Sequence, residues 1–159
     1  MKVISHRGNL TGPKSVDENS PSDIDQALSI GFDCEIDIWC DPKGNLRLGH
    51  DSGEFHIDLN WLLLRSSKLW IHCKNFLALE YFSRREEKLN FFWHQSDDHV
   101  LTSSGIIWSY PGQPLSSRAV VVLPENHPQL DEIVLEKAFA ICTDYPIKFD
   151  EELNRSTLR

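Results

Sequence analysis

The chain has 159 residues, about one domain's worth, with 16 Lys plus Arg against 24 Asp plus Glu and a formal net charge of −8. A hydrophobic share of 40% and a charged share of 25% exclude disorder as the default and leave enough apolar residues for a sizeable core. A pI near 5.3 argues against a nucleic-acid coat or an anionic-membrane binder, and no apolar run approaches the roughly 18 residues of a spanning helix.

Residues 2–8 read as a short first strand, and residues 12–19, with Gly, Pro, Lys, Ser and Asp, as a loop. A helix follows: Ser20-Pro21-Ser22-Asp23 supplies cap residues and a first-turn proline, Ile24, Ala27, Leu28 and Ile30 an apolar face, and Gly31 the stop. Residues 32–39 alternate as a second strand, 41–44 form a turn, and 46–50 alternate again. The apolar run 61–64 is only strand- or turn-sized. Residues 69–74 make a third strand, and Leu77, Leu79, Tyr81 and Phe82 with the charged run to Lys88 a second helix. Strand-like stretches follow at 90–94, 100–102, 106–110 and 119–123, with no helix-length spacer after 94. Residues 128–137 suit a last helix and 139–144 a last strand, and the polar tail after Pro146 is expected to fray or cap the fold.

The N-terminus carries no apolar stretch of signal-peptide length, so a cytoplasmic chain is expected. Cys34, Cys40, Cys73 and Cys142 are too scattered for a zinc ribbon and read as reduced, packed thiols. Strand–helix–strand order in the first ninety residues implies a parallel sheet with right-handed crossovers. About eight strands in this length give a single-domain α/β fold over 1–159: a small, irregular (β/α)8 TIM-type barrel with helices lost in its second half. An ordinary barrel needs about 250 residues, and an open or seven-stranded barrel fits nearly as well.

Alternation puts Glu35 and Asp37 on one face of the second strand, opposite Cys34, Ile36 and Ile38. His72 and Lys74 share a face of the third. An apolar core would not select these four groups, and buried charges need partners or a metal. The first strand ends in His6-Arg7-Gly8, and the 46–49 segment leads to His50-Asp51. Carboxylates, imidazoles and an arginine around a divalent cation are equipment for attacking a phosphodiester.

His6-Arg7-Gly8, Glu18-Asn19, Glu35-Ile36-Asp37, Gly49-His50-Asp51, Ile71-His72-Cys73-Lys74 and Thr143-Asp144-Tyr145-Pro146 resemble, in order, the motifs of the glycerophosphodiester phosphodiesterase family, within the phosphatidylinositol-phospholipase-C-like group. The agreement spans residues 2–75 and 138–146; residues 90–127 match poorly. The resemblance implies that His6 and His50 act as general acid and base. It implies that Arg7 and Lys74 bind the phosphoryl group, and that Glu35, Asp37 and His72 hold one divalent metal. His72 stands where the family usually has glutamate. The metal is expected to be Mg²⁺, Mn²⁺ or Ca²⁺; the imidazole lowers the ligand charge, which disfavours Ca²⁺ and makes Mn²⁺ or Zn²⁺ more plausible.

The reading is metal-dependent hydrolysis of a soluble, glycerophosphodiester-like substrate, with no nucleic acid and no membrane span. The alternatives are a phosphoryl-ligand-binding module on a decayed barrel and a cyclising phosphodiester lyase. A helix-poor flank would leave apolar surface that a second copy could cover, making a homo-oligomer. Glu18-Asn19 is read as shaping the loop before the helix, and Asp144 as bonding loop amides or lying at the site. Trp93, Trp108 and Tyr110 are read as core, with stacking on a substrate face as the sharper option. His94 and Glu125 are candidate pocket residues. His56, His99 and His127 receive no role.

Overall fold

The computed structural model describes residues 1–14, 16–110, 112–127 and 137–157, and its ten strands form one sheet. The strand β1 (Lys2–His6) lies between β2 (Asp33–Cys40) and β10 (Ala140–Thr143), parallel to both. Beyond β2 come β5 (Leu69–Cys73) and β6 (Phe91–Trp93); beyond β10 come β9 (Ala119–Val122) and β8 (Ile107–Ser109), all parallel. A short antiparallel strand, β7 (His99–Leu101), flanks β8. Among the described residues no ladder joins β6 to β7. Ser103 bridges these ends instead: its N–H donates to the Phe91 carbonyl at 2.8 Å and its Oγ accepts from the Phe91 N–H at 2.9 Å. The result is a barrel-like, mainly parallel sheet with a thinly bridged seam.

The segment 46–50 is not a further parallel strand. It forms β3 (Leu46–Leu48), antiparallel to the upper half of β2, and continues into β4 (Phe55–Ile57), antiparallel to β3. The cause is the turn before it. The Asp41 carboxylate accepts from the N–H groups of Lys43 and Asn45 at 2.8 and 2.9 Å, reversing the chain within a few residues. Parallel pairing would need a long crossover.

Helix α1 (Pro21–Ser29) starts as expected, with the Ser20 hydroxyl accepting from Asp23 N–H at 3.2 Å and proline in the first turn. The run 61–64 belongs largely to a short helix, α2 (Leu59–Leu63), capped by Asp58. Helix α3 (Phe76–Ser83) stops short of the charged run to Lys88. To residue 157, the tail after Pro146 caps the fold rather than fraying. It forms α4 (Pro146–Thr157), whose Phe149 and Leu153, one turn apart, pack on Val3, Val121, Ala138 and Ile141. Between β6 and β10 the only helical turn among the described residues is the 3₁₀ piece Pro124–Asn126. The helix expected at 128–137 lies, to residue 136, outside the described residues.

Two packed layers flank the sheet. Outside, α1, α2 and α3 cover Cys34, Ile36, Ile38, Leu69, Ile71 and Cys73. Inside, Ile4, Trp70, Phe92, Trp108, Val120, Val122, Ala140 and Cys142 fill the barrel. The four cysteines are buried and unpaired. Among the described residues no helix is long and apolar enough to cross a membrane.

Candidate active site

Strand register assembles the site. His6 stands opposite Glu35 across the β1–β2 ladder, and Asp37 opposite His72 across β2–β5. The same inner faces that carry Ile4 and Trp70 lower down carry these groups one or two pleats higher, toward the C-terminal ends of the strands. Ser5 pairs with Thr143 across β1–β10, which brings the next residues, His6 and Asp144, side by side.

The His6 Nδ1 lies 2.7 Å from Asp144 Oδ1, and its Nε2 is 3.9 Å from Glu35 Oε2. Asp144 is itself fixed twice: Asn9 Nδ2 donates to the same oxygen at 2.8 Å, and the Asp144 N–H donates to Glu125 Oε1 at 2.8 Å. A carboxylate on Nδ1 makes that nitrogen the donor and leaves Nε2 as the working edge. Burial opposes a charged His6 ring, but the Asp144 bond and the Glu35 charge outweigh it and raise its pKa. The same bond holds the Asp144 pKa down against its own burial. Asp144 therefore touches the histidine rather than loop amides alone.

Arg7 and Gly8 both take positive φ, 55° and 81°, as the chain leaves β1. A Cβ at Gly8 would sit 2.9 Å from the backbone nitrogen of Ile24, so only glycine lets α1 pack here. The turn aims the Arg7 guanidinium at two carboxylates: NH1 donates to Glu18 Oε2 at 2.9 Å, and Nε lies 3.1 Å from Asp37 Oδ2. Asn19 does more than shape its loop. Its Nδ2 donates to Asp37 Oδ2 at 3.0 Å and its Oδ1 accepts from the Asp37 N–H at 2.8 Å, clamping that carboxylate from both sides.

Glu35 and Asp37, two residues apart, have opposite electrostatics. Burial and the neighbouring Asp37 push the Glu35 carboxyl up. Asp37 is equally buried, yet contact with His72 and the charges of Arg7 and Lys74 hold it well below the usual carboxylate range. His72 Nδ1 is 2.9 Å and Lys74 Nζ 3.5 Å from Asp37 Oδ1. The Nε2 of His72 meets the His94 carbonyl at 3.1 Å. A carbonyl only accepts, so Nε2 donates to it and Nδ1 faces the carboxylates.

This set fits a divalent cation. Glu35, Asp37 and His72 each offer a ligand atom, all within 4.8 Å of one another. Glu35 Oε2 and Asp37 Oδ1 are buried without an aligned hydrogen-bond donor, a costly state that a cation would relieve. The second bond of His72 is the support a metal-bound imidazole ordinarily has.

A cavity of about 340 Å³ opens above these groups, and His6, Arg7, Glu35, His50, His72 and Lys74 all line it. The His50 ring reaches it from the loop after β3, with Nδ1 2.7 Å from Asp51 Oδ1 and a side chain 42% exposed. Gly49 makes that approach possible: its φ is 148°, and a Cβ there would collide with the Ser52 carbonyl. The remaining wall holds Trp93, His94, Gln95, Trp108 and Tyr110. Trp108 packs on Phe92, with ring centroids 4.6 Å apart, and Tyr110 stacks on His94 at 4.5 Å. Burial and the Glu35 charge push the Tyr110 phenol up to about 12. Glu125 does not line this cavity; it holds Asp144. Asn9 and Gln95 carried no sequence signal, being single amides outside any motif. Asn19 had one, its place beside Glu18.

No family model matches the chain, and no curated protein matches it in sequence. Solved structures do share its fold. One is a glycerophosphodiester phosphodiesterase from Parabacteroides distasonis, with a TM-score of 0.55 at 15% identity, covering 98% of each chain. A glycerophosphoryl diester phosphodiesterase from the same organism gives a TM-score of 0.58 at 11% identity, covering 97% of this chain and 86% of that one. A Galdieria sulphuraria protein provisionally given the first activity matches at 0.57 and 11%, covering 96% and 97%.

Proposed function

We propose that this chain is a divalent-metal-dependent phosphodiesterase acting on a small phosphodiester. One observation carries the reading. A single cavity at the C-terminal ends of parallel strands is lined by an imidazole oriented by a carboxylate, an arginine, a lysine, and Glu35 and His72 of the three-residue ligand set, whose third member, Asp37, lies buried beside them. The shared fold with phosphodiesterase structures supports it.

The roles follow from where each group points. Arg7 and Lys74, both lining the cavity, give the phosphoryl oxygens fixed positive charge, and Glu18 and Asp37 orient Arg7. His6 exchanges a proton at Nε2, and Asp144 holds the ring and stabilises its charged form. His50 supplies the second proton-transfer group from the opposite chain segment, one histidine taking the attacking proton and the other protonating the leaving alcohol. Glu35, Asp37 and His72 hold the metal, which supplies Lewis-acid polarisation of the phosphoryl group. Two carboxylates and one imidazole favour Mn²⁺ or Zn²⁺ over Mg²⁺ or Ca²⁺.

The test is hydrolysis of bis(p-nitrophenyl) phosphate with each of these metals. Turnover should require metal and fall by roughly 10²–10⁴-fold in His6→Ala and in His50→Ala. Glu35→Gln should raise the melting temperature of the metal-free protein, by about 0.5–2 kcal/mol of stability, and abolish the further rise on adding Mn²⁺. Turnover indifferent to both histidines ends the proposal. Phosphorus NMR of the product separates hydrolysis from cyclisation.

A further inference from the structure

Asn9, in the turn just after β1, is fully buried and carries one amide that serves two carboxylates. Its Nδ2 donates to Asp144 Oδ1 at 2.8 Å and to Glu18 Oε1 at 2.9 Å. Asp144 Oδ1 is the oxygen that meets His6 Nδ1, and the other oxygen of Glu18 accepts from Arg7 NH1. One side chain thus stands between the carboxylate that orients the proton-transfer imidazole and the carboxylate that orients the phosphoryl-binding guanidinium. The backbone fixes Asn9 in place: its N–H donates to the His6 carbonyl at 2.9 Å, and Ser5 Oγ donates to its carbonyl at 2.7 Å.

The bonding of this amide is lopsided. Both of its neighbours are carboxylate oxygens, which only accept, so the nitrogen must face them. The Oδ1 is left buried with no hydrogen-bond partner. An unmet buried acceptor is costly, and native proteins pair nearly all of theirs. What the position uses is therefore the pair of N–H donors. A carboxylate of the same shape would set a third acceptor against two. A lysine or arginine would donate, but its charge would neutralise Asp144 and Glu18, whose charges His6 and Arg7 need. A neutral amide orients both carboxylates and leaves their charges to their partners. We propose that Asn9 is a positioning residue that couples the two halves of the site, fixing His6 through Asp144 and Arg7 through Glu18 so that the proton-transfer ring and the phosphoryl anchor keep one mutual geometry. This rests on the phosphodiesterase reading for the roles of His6 and Arg7.

Two readouts that need no turnover test it, one for each arm. For Arg7 it is the affinity for inorganic phosphate with Mn²⁺ present, by titration calorimetry. For His6 it is the water exchange of the Nδ1 proton, by NMR, the signal being identified by its absence in His6→Gln. Asn9→Ala should weaken phosphate roughly tenfold and speed the exchange by a similar factor. Asn9→Asp, which keeps the shape and loses the donors, should be at least as impaired in both. Asn9→Ser, the variant to read should Asn9→Ala not fold, retains one donor and should show the same two losses to a smaller degree. Glu18→Gln should weaken phosphate and leave the exchange as in the native protein. Ser5→Ala, which loosens the backbone anchor without touching the amide, should lower the melting temperature and move neither readout. A native-like Asn9→Asp, a loss in one readout alone on removing the donors, or losses of the same size in Ser5→Ala overturns the proposal. If both readouts respond but no diester is hydrolysed, the enzymatic reading fails and the coupling stands. If diesters are hydrolysed with both histidines required while neither readout responds to Asn9, the coupling fails and the enzymatic reading stands.

Discussion

The pair His6–Asp144 shows how one contact sets charge, orientation and stability together. Asp144 Oδ1 sits 2.7 Å from His6 Nδ1, deep enough that solvent screens little. The pKa of His6 is raised above its ordinary 6.5, so its share of stability is complete below that value and fades as pH rises through the raised pKa. Asp144 is lowered from 3.8, so its share is complete above that value and fades as pH falls through the lowered pKa. The two overlap between 3.8 and 6.5. Asp144→Asn should therefore cost about 1.5–3 kcal/mol in urea denaturation at pH 5.5, and less at pH 9. A cost that does not change with pH would mean that the pair is not ionic. The variant should also shift the acid limb of the activity profile, since Nε2 depends on the partner of Nδ1.

At the scale of elements, the same residues that end one element often begin the next. Asn75 caps α3 by accepting from Ala78 N–H at 2.9 Å, and also bonds both the N–H and the carbonyl of Cys40, at 3.2 and 2.8 Å. It fastens the helix to the top of β2, the strand that carries Glu35 and Asp37. Asp58 caps α2 with one bond, to Trp61 N–H at 2.7 Å, and makes no comparable link to a strand among the described residues. Asn75→Ala should cost about 2–3 kcal/mol and Asp58→Ala about 1, measured by thermal or urea unfolding. Equal costs would show that the link to β2 carries no weight. Caps and alternation were readable in the sequence because they are local: Ser20-Pro21, Gly31, and the faces of β2 and β5. The β3–β4 hairpin was not, because alternation is the same in parallel and antiparallel strands and only the turn at Asp41 decides. Nor was the clamp of Asn19 on Asp37, which joins residues that alternation cannot relate. The helical tail was readable in principle, since Phe149 and Leu153 are one turn apart, but the surrounding polarity hid the stripe.

Across the whole molecule, support is uneven. The strands that position the carboxylates and His6, namely β1, β2, β5 and β10, are sandwiched between the inner cluster and the helices α1, α3 and α4. On the other flank β7 has both terminal residues exposed, and its connection to β6 is the pair of bonds at Ser103 rather than a ladder. This asymmetry has a functional side. The groups assigned to phosphate and metal sit on the firm half, whereas His94, Gln95 and Tyr110, which line the rest of the cavity wall, sit beside the seam. A site that must hold an ion needs a rigid scaffold. Amide hydrogen exchange should show it. Amides of β2 and β10 should exchange only through global unfolding, while those of β7 and of Phe91 exchange through local opening, at least ~10²-fold faster. Ser103→Ala removes the acceptor of the Phe91 N–H and should speed that amide further without changing β2. Uniform protection around the barrel, or a Ser103→Ala effect that spreads to β2, would mean that the seam is as firm as the ladders and that the two halves open as one.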